Sequence, residues 1–271
     1  VIRLAVRVAR ADAELALAEL LVLAPAGVEE VDLGNDVVEY AVYGAEGELP
    51  DLGDVRAAAG DALVEVSSTV VGDDWAQRWR EFHRPLQLGR LRLRAPWHEP
   101  SGGLEVVIDP GQAFGTGMHP TTRLCLELLL AEPAAGRAGP LADLGCGSGV
   151  LAIAAAKLSY APVAGYDHEA ESVRATIDNA ARNGVELAAH RWDLRRDPIP
   201  SAPTVTANLL RPLLVELARR LTDPPVTLIA SGLLDHEAGE VAAAFAPAGL
   251  RVAARRRCDG WTALLLRGGG A

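Results

Sequence analysis

Lysine is almost missing from this chain. Lys157 is the single example among 271 residues, and arginine supplies the rest of the 26 basic side chains, against 36 acidic ones. The substitution of arginine for lysine is a compositional bias. The net charge of −10 carries more weight. It excludes a broad nucleic-acid surface, which needs clustered cations to displace the counterions of phosphates, but it is compatible with a basic protein partner. Cysteine is scarce as well. Cys125, Cys146 and Cys258 stand too far apart for a disulfide framework or a zinc knuckle, so no metal is expected and a reducing cytoplasm is. No apolar run approaches the roughly 20 residues of a membrane span, and no charged and apolar pair of segments of signal-peptide type opens the sequence. What is left is a globular chain, 49% hydrophobic and 23% charged, long enough for one large or two modest domains.

The most informative segment runs Asp143-Leu144-Gly145-Cys146-Gly147-Ser148-Gly149. Leu141 and Ala142 lead into it as a buried strand, and residues 150–158 follow as an apolar helix. Glycines at alternate positions let the backbone turn sharply and pass close to a ligand. The helix then begins with free N–H groups aimed at whatever occupies the turn. Asp167 follows after an apolar strand over 161–166, which completes a nucleotide-binding βαβ unit. The dinucleotide fingerprint is G-x-G-x-x-G, with a helix N-terminus on a pyrophosphate. Here the spacing is G-x-G-x-G, and an acid stands two residues before the first glycine. An acid there is badly placed for a diphosphate and suits a cationic ligand. S-adenosylmethionine has an ammonium, a sulfonium and a ribose diol. Asp143 suits its cationic methionyl portion, and Asp167 suits both ribose hydroxyls. Cys146, inside the turn, reads as a small filler rather than a nucleophile. A nicotinamide-dependent oxidoreductase is the competing reading of the turn.

Residues 1–71 follow their own pattern. A strand over 2–8 leads through Asp12 as helix N-cap to a helix over 14–23. Strands over 28–33 and 37–42 are joined by Gly34-Asn35-Asp36, a short helix covers 55–59, and a strand covers 62–70. This β-α-β-β-α-β order suggests a small ferredoxin-like α+β domain. Residues 72–103 read as a linker of helix and strand, with Trp75, Trp79 and Phe82 on one helix face and a strand over 89–94. From 104 to 271 the chain alternates strand and helix as a doubly wound sheet requires. It closes on two strands, 250–256 and 262–266, joined around Asp259-Gly260.

A second glycine-rich stretch, 109–122, precedes the turn. Gly111, Gly115 and Gly117 allow it to wrap a ligand, Phe114 suits an apolar part of the cofactor, and Thr121 or Thr122 suits the cap of the next helix. His119 is a candidate base, although a lone loop histidine is more often structural.

The segments 109–122, 143–157 and 207–210 resemble the PrmA family, bacterial methyltransferases of the eleventh protein of the large ribosomal subunit. Phe114-Gly115-Thr116-Gly117 with His119-Pro120-Thr121-Thr122 is the specific part, and the resemblance covers roughly 73–266. It implies a small N-terminal substrate-recognition domain, a linker and a Rossmann-like class I methyltransferase domain. It also implies methyl transfer from S-adenosylmethionine to lysine side chains and the N-terminal α-amine of that ribosomal protein, free or ribosome-bound, by a cytoplasmic monomer needing neither membrane nor direct nucleic-acid contact. Family cofactor positions match Thr122, Gly145, Asp167 and Asn208. The candidate cofactor set is thus Phe114, Thr116, Thr122, Asp143, Gly145, Gly147, Asp167, Asp193 and Asn208, with Asp193 placed near the adenine amino group. Asn208 is also the candidate catalytic residue: it ends a strand, and its side-chain oxygen suits the incoming amine. Many amine methyltransferases have Asn-Pro-Pro-Tyr here, whereas Leu209 and Leu210 replace the prolines. The aspartate that usually opens the strand before Asn208 is also missing. Residues 1–71 match only in element order, which leaves another protein lysine or a small molecule as the alternative substrate.

Overall fold

The computed structural model describes residues 2–23, 28–44, 49–70, 84–109, 119–132 and 139–269. The expected helix over 73–83 with its aromatic stripe, and candidate residues Phe114 and Thr116, lie outside the described residues. The chain divides into two compact units, Val1–Phe82 and His83–Ala271.

In the first unit, β1 (Ile2–Ala9), β2 (Glu29–Gly34), β3 (Val37–Gly44) and β4 (Leu63–Val70) form one antiparallel sheet in the order β2-β3-β1-β4. The two helices are α1 (Ala13–Leu23), entered through a 3-10 turn over Arg10–Asp12, and α2 (Leu52–Ala59), capped by Asp51. Alternation along β1 sends Leu4, Val6 and Val8 into a core with Ala16, Leu20 and Val55. The β2–β3 hairpin turns where Asn35 and Asp36 both adopt positive φ, as a tight hairpin of this hand requires. The element order and sheet order are those of the expected ferredoxin-like domain.

The second unit is built on a seven-stranded sheet, ordered β10-β9-β8-β11-β12-β14-β13. Its strands are β8 (Leu141–Leu144), β9 (Val163–Asp167), β10 (Ala188–Arg191), β11 (Thr204–Asn208), β12 (Thr227–Leu234), β13 (Leu250–Cys258) and β14 (Trp261–Gly268). The first five pair parallel, and β14 lies antiparallel to both β12 and β13. The helices are α3 (Pro120–Ala131), α4 (Val150–Lys157), α5 (Ala170–Arg182), α6 (Arg211–Arg220) and α7 (Ala238–Phe245). Both faces of the sheet are covered, which is why the parallel strands read as near-continuous apolar runs. One core gathers Leu124, Leu128, Leu151 and Ile153 from α3 and α4, and the other gathers Leu214, Leu217, Val241 and Phe245 from α6 and α7.

Part of the expected linker belongs to this second unit. Strands β5 (Leu86–Leu88), β6 (Leu91–Arg94) and β7 (Leu104–Val107) make a small sheet. Leu88, Leu91, Leu93 and Val106 are buried in the core of α3 and α4. Glu105 ties this sheet together. Burial works against its charge, but the backbone and hydroxyl of Ser101 and the guanidinium groups of Arg94 and Arg92 hold its carboxyl down at about 2.

Candidate active site

Strand β8 has β9 on one side and β11 on the other. The chain therefore leaves β8 and β11 at the point where strand order reverses, the place where open α/β sheets form a ligand crevice. The glycine turn follows β8, Asp167 ends β9, Asp193 follows β10 and Asn208 ends β11. The sheet brings these four elements to one edge.

The turn depends on its glycines. Gly145, Gly147 and Gly149 have φ of 74°, 52° and 81°, a region in which a side chain is strained. A Cβ on Gly145 would also collide with Cδ2 of Leu209. The backbone N–H groups of Gly145 and Cys146 both donate to the carbonyl of Tyr166, at 2.8 and 3.1 Å. The N–H of Gly147 donates to Asp167 Oδ2 at 2.9 Å, and the N–H of Glu169 donates to Oδ1 at 3.0 Å. Asp167 is thereby fixed by two backbone donors. Each carboxylate oxygen keeps a second lone pair, and the pair of oxygens suits a vicinal diol.

Asp143 lies deeper than its sequence position suggests. It is 1% exposed, on the face of β8 beneath α3 and α4. Thr206 stands opposite it in the β8–β11 register and donates its hydroxyl to Asp143 Oδ1 at 2.6 Å. Asp143 Oδ2 makes no full hydrogen bond among the described residues, and the backbone N–H of Ala152 in the first turn of α4 is the donor that faces the carboxylate. Burial, opposed by the Thr206 hydroxyl and the Ala152 N–H and helped by the charge of Asp167, pushes the carboxyl up to about 7. A buried acceptor lacking a donor is costly, and a cationic N–H donor answers that need. The under-satisfied Asp143 oxygen, the Asp167 oxygens and the glycine positions of the turn all fit S-adenosylmethionine.

Asn208 is half-buried. Its Nδ2 donates to the hydroxyl of Thr122 at 3.2 Å, which joins the end of β11 to the first turn of α3. That bond uses one of the two amide N–H groups, fixes which end of the amide is nitrogen, and identifies Oδ1 as the acceptor. Leu209, the next residue, donates its N–H to Ser231 at 3.0 Å and so locks the strand end. Asp193 is placed beside Asp167, because Trp192 donates its N–H to the Asp167 carbonyl at 2.8 Å. Its carboxylate accepts from the N–H of Arg195 at 2.9 Å and faces Arg196 at 3.5 Å.

The cap of α3 is His119 rather than Thr121 or Thr122. Pro120 takes the first helical position, which makes residue 119 the cap, and the N–H of Thr121 donates to the His119 ring. His119 Nδ1 also lies 2.8 Å from the Thr121 hydroxyl, and the ring sits edge-on to Trp261 with centroids 4.8 Å apart. Burial lowers its pKa. These contacts make it a structural cap. Cys146 is buried, and burial with the nearby Asp143 charge pushes its thiol up, as befits a packed residue rather than a nucleophile. Sequence reasoning missed Thr206, Thr176 and Asn179. The last two lie three residues apart on α5 and are buried polar side chains on the face turned to the sheet. That polar stripe on an otherwise apolar face was the available signal.

A family model, Ribosomal protein L11 methyltransferase (PrmA), matches residues 29–268. The ribosomal protein L11 methyltransferase of Azotobacter vinelandii is 40% identical over 218 residues, covering 78% of this chain and 74% of that protein. The one from Marinobacter nauticus is 41% identical over 210 residues, covering 72% and 69%. Among solved structures, a ribosomal protein L11 methylase from Lactobacillus delbrueckii subsp. bulgaricus superposes with a TM-score of 0.60 at 29% identity, covering 68% of this chain and 99% of that one.

Proposed function

The chain belongs to the ribosomal protein L11 methyltransferase (PrmA) family, and from that premise we propose that it methylates lysine side chains and the N-terminal α-amine of ribosomal protein L11. Its catalytic unit is a Rossmann-like class I methyltransferase sheet, and S-adenosylmethionine is the methyl donor. The observation that carries the reading is the meeting of the glycine turn, Asp167 and Asn208 at one strand edge.

Asp167 would hold the ribose, the turn from Gly145 to Gly147 the backbone-facing side of the donor, and Asp143 its ammonium. Asp193 would lie on the adenine side, and Phe114 and Thr116 would complete the cofactor set. When bound, S-adenosylmethionine supplies a methyl group on a sulfonium, already activated for displacement. The protein's work is therefore positional. Asn208 Oδ1 accepts from an N–H of the incoming amine and aims the nitrogen lone pair, while Thr122 keeps the amide from rotating.

The amine must be neutral to attack. At pH 7 that costs a free lysine roughly 4–5 kcal/mol and an α-amine about 1 kcal/mol, from their ordinary pKa values. A desolvated crevice lowers an amine's pKa, and solvent takes the proton. No side chain is needed as a base, which agrees with His119 being spent on the cap. The protein acts as a cytoplasmic monomer in this reading.

Titration calorimetry with S-adenosylhomocysteine and with NAD tests the site. Saturable binding of the former and none of the latter is expected. Binding of NAD in place of S-adenosylhomocysteine would restore the oxidoreductase reading and remove this one.

A further inference from the structure

Helix α5 does more than cover the sheet. Thr176 and Asn179 are 0% and 2% exposed, and both reach into the glycine turn. The Thr176 hydroxyl lies 3.0 Å from the carbonyl of Gly147, to which it donates, and 3.3 Å from the Cys146 sulfur in the same turn, and Asn179 Nδ2 donates to the carbonyl of Ser148 at 3.0 Å. Two consecutive turn carbonyls are thus held by two side chains from one helix face. A peptide unit is planar and trans, so its N–H points opposite to its C=O. Fixing these two carbonyls fixes the planes that carry the N–H groups of Ser148 and Gly149, the second of which donates to the Cys146 carbonyl at 2.8 Å, and so holds the shape of the turn.

Asn179 also faces the other way. Its Oδ1 accepts from the backbone N–H of Asp109 at 3.2 Å and from Arg182 at 3.0 Å. One turn later, Asn183 brackets Val107, accepting from its N–H at 2.8 Å and donating to its carbonyl at 2.6 Å. The helix therefore rivets the end of β7, and Asn179 joins that end to the turn through a single amide.

We propose that Thr176 and Asn179 are positioning residues for the methyl donor: they hold the carbonyls of Gly147 and Ser148, and thereby the shape of the turn whose preceding peptide gives the Gly147 N–H to Asp167. Neither touches the donor in this account. The inference rests on the function proposed above. The same face gives the contrast that tests it. Asn183 makes as many side-chain bonds as Asn179, two to Val107 and one, at 2.8 Å, to the Asn179 carbonyl one helical turn back, but none to the glycine turn, so its loss loosens the fold without freeing a turn carbonyl.

The experiment is calorimetric titration of S-adenosylhomocysteine into the full chain, well below its melting temperature. It compares wild type, Thr176→Val, Thr176→Ser, Asn179→Asp and Asn183→Leu, with kcat measured at saturating S-adenosylmethionine. Thr176→Val keeps the shape and removes the donor, and Asn179→Asp sets a carboxylate oxygen against the Ser148 carbonyl. Each is expected to raise Kd about tenfold, the loss of one buried hydrogen bond, with kcat changed less than about twofold. Thr176→Ser keeps the hydroxyl and restores the wild-type Kd. Asn183→Leu lowers the melting temperature at unchanged Kd. Equal Kd in all folded variants, or an equal rise in Asn183→Leu, overturns the inference. If Asn179→Asp does not fold, the Thr176→Val and Thr176→Ser pair decides alone. Wild-type protein that fails to bind S-adenosylhomocysteine overturns the proposed function and this inference with it.

Discussion

Asn208 and Thr122 are 86 residues apart in sequence, yet the amide of the first donates to the hydroxyl of the second at 3.2 Å. The bond orients the amide. One N–H of Nδ2 is used on an almost fully buried threonine, which fixes the amide plane, and in the proposed mechanism Oδ1 accepts from the substrate amine. Asn208→Ala should lower kcat by roughly a hundredfold or more, the scale of losing the orientation of a reacting group, with the fold retained. Thr122→Val should cost about tenfold in kcat on the same ground. Steady-state rates on ribosomal protein L11 at saturating cofactor check both. Wild-type turnover in Asn208→Ala would remove the residue from the mechanism.

Asp167→Asn should weaken S-adenosylhomocysteine binding by about 2–4 kcal/mol, roughly 30- to 1,000-fold, the worth of one or two charge-assisted hydrogen bonds. Calorimetry reads this directly. Unchanged affinity would cancel the ribose assignment.

Asp143 sets stability against function. Burial raises its carboxyl from 3.8 to about 7 in the folded protein. The folded protein thus keeps a proton that the unfolded chain releases, and this group's contribution to stability declines as pH rises from about 4 to about 7. Asp143→Asn removes that loss. The ligand-free variant should melt above wild type at about pH 8 by the equivalent of about 2–4 kcal/mol, and the gap should close toward about pH 4. The same variant should bind the cofactor more weakly. A gap that widens on acidification would contradict the assignment.

Gly145 and Gly232 both converge on Leu209. A Cβ on Gly145 would strike the Leu209 side chain, and one on Gly232, at φ 87°, would strike its backbone carbonyl. Alanine at either position should cost about 1–3 kcal/mol of strain. Gly232→Ala should also lower kcat, because the obstructed backbone is that of Leu209, the residue after Asn208. Melting curves beside turnover separate the two effects.

Much of this architecture was legible from local pattern. The parallel strands are short apolar runs, and Asp259-Gly260 marks the closing hairpin, with positive φ at both residues. Less legible was anything set by register. The bond from Thr206 to Asp143 exists because β8 and β11 align those two residues, which spacing within one segment does not reveal. Strand β12 runs on to Leu234, beyond the expected end at Ser231, because it passes through an irregularity and resumes pairing with β14 at Leu233 and Thr262. The region around β5 and β6 looked like a linker because proline and glycine follow it. Buried Leu88, Leu91 and Leu93 make it part of the catalytic core. The helix cap was misplaced because a histidine nitrogen can stand in for the usual oxygen acceptor, and Pro120 was the better guide to the boundary.

In the proposed mechanism the strand-end crevice carries a methyl group to an amine under the direction of Asn208. Mass spectrometry of ribosomal protein L11, after incubation with S-adenosylmethionine and either wild-type protein or Asn208→Ala, tests it most directly. Mass gains in whole methyl steps are expected, mapped to lysine side chains and the α-amine with wild type and nearly abolished with the variant. Unmodified L11 under saturating wild-type enzyme, or equal modification by both proteins, would contradict it.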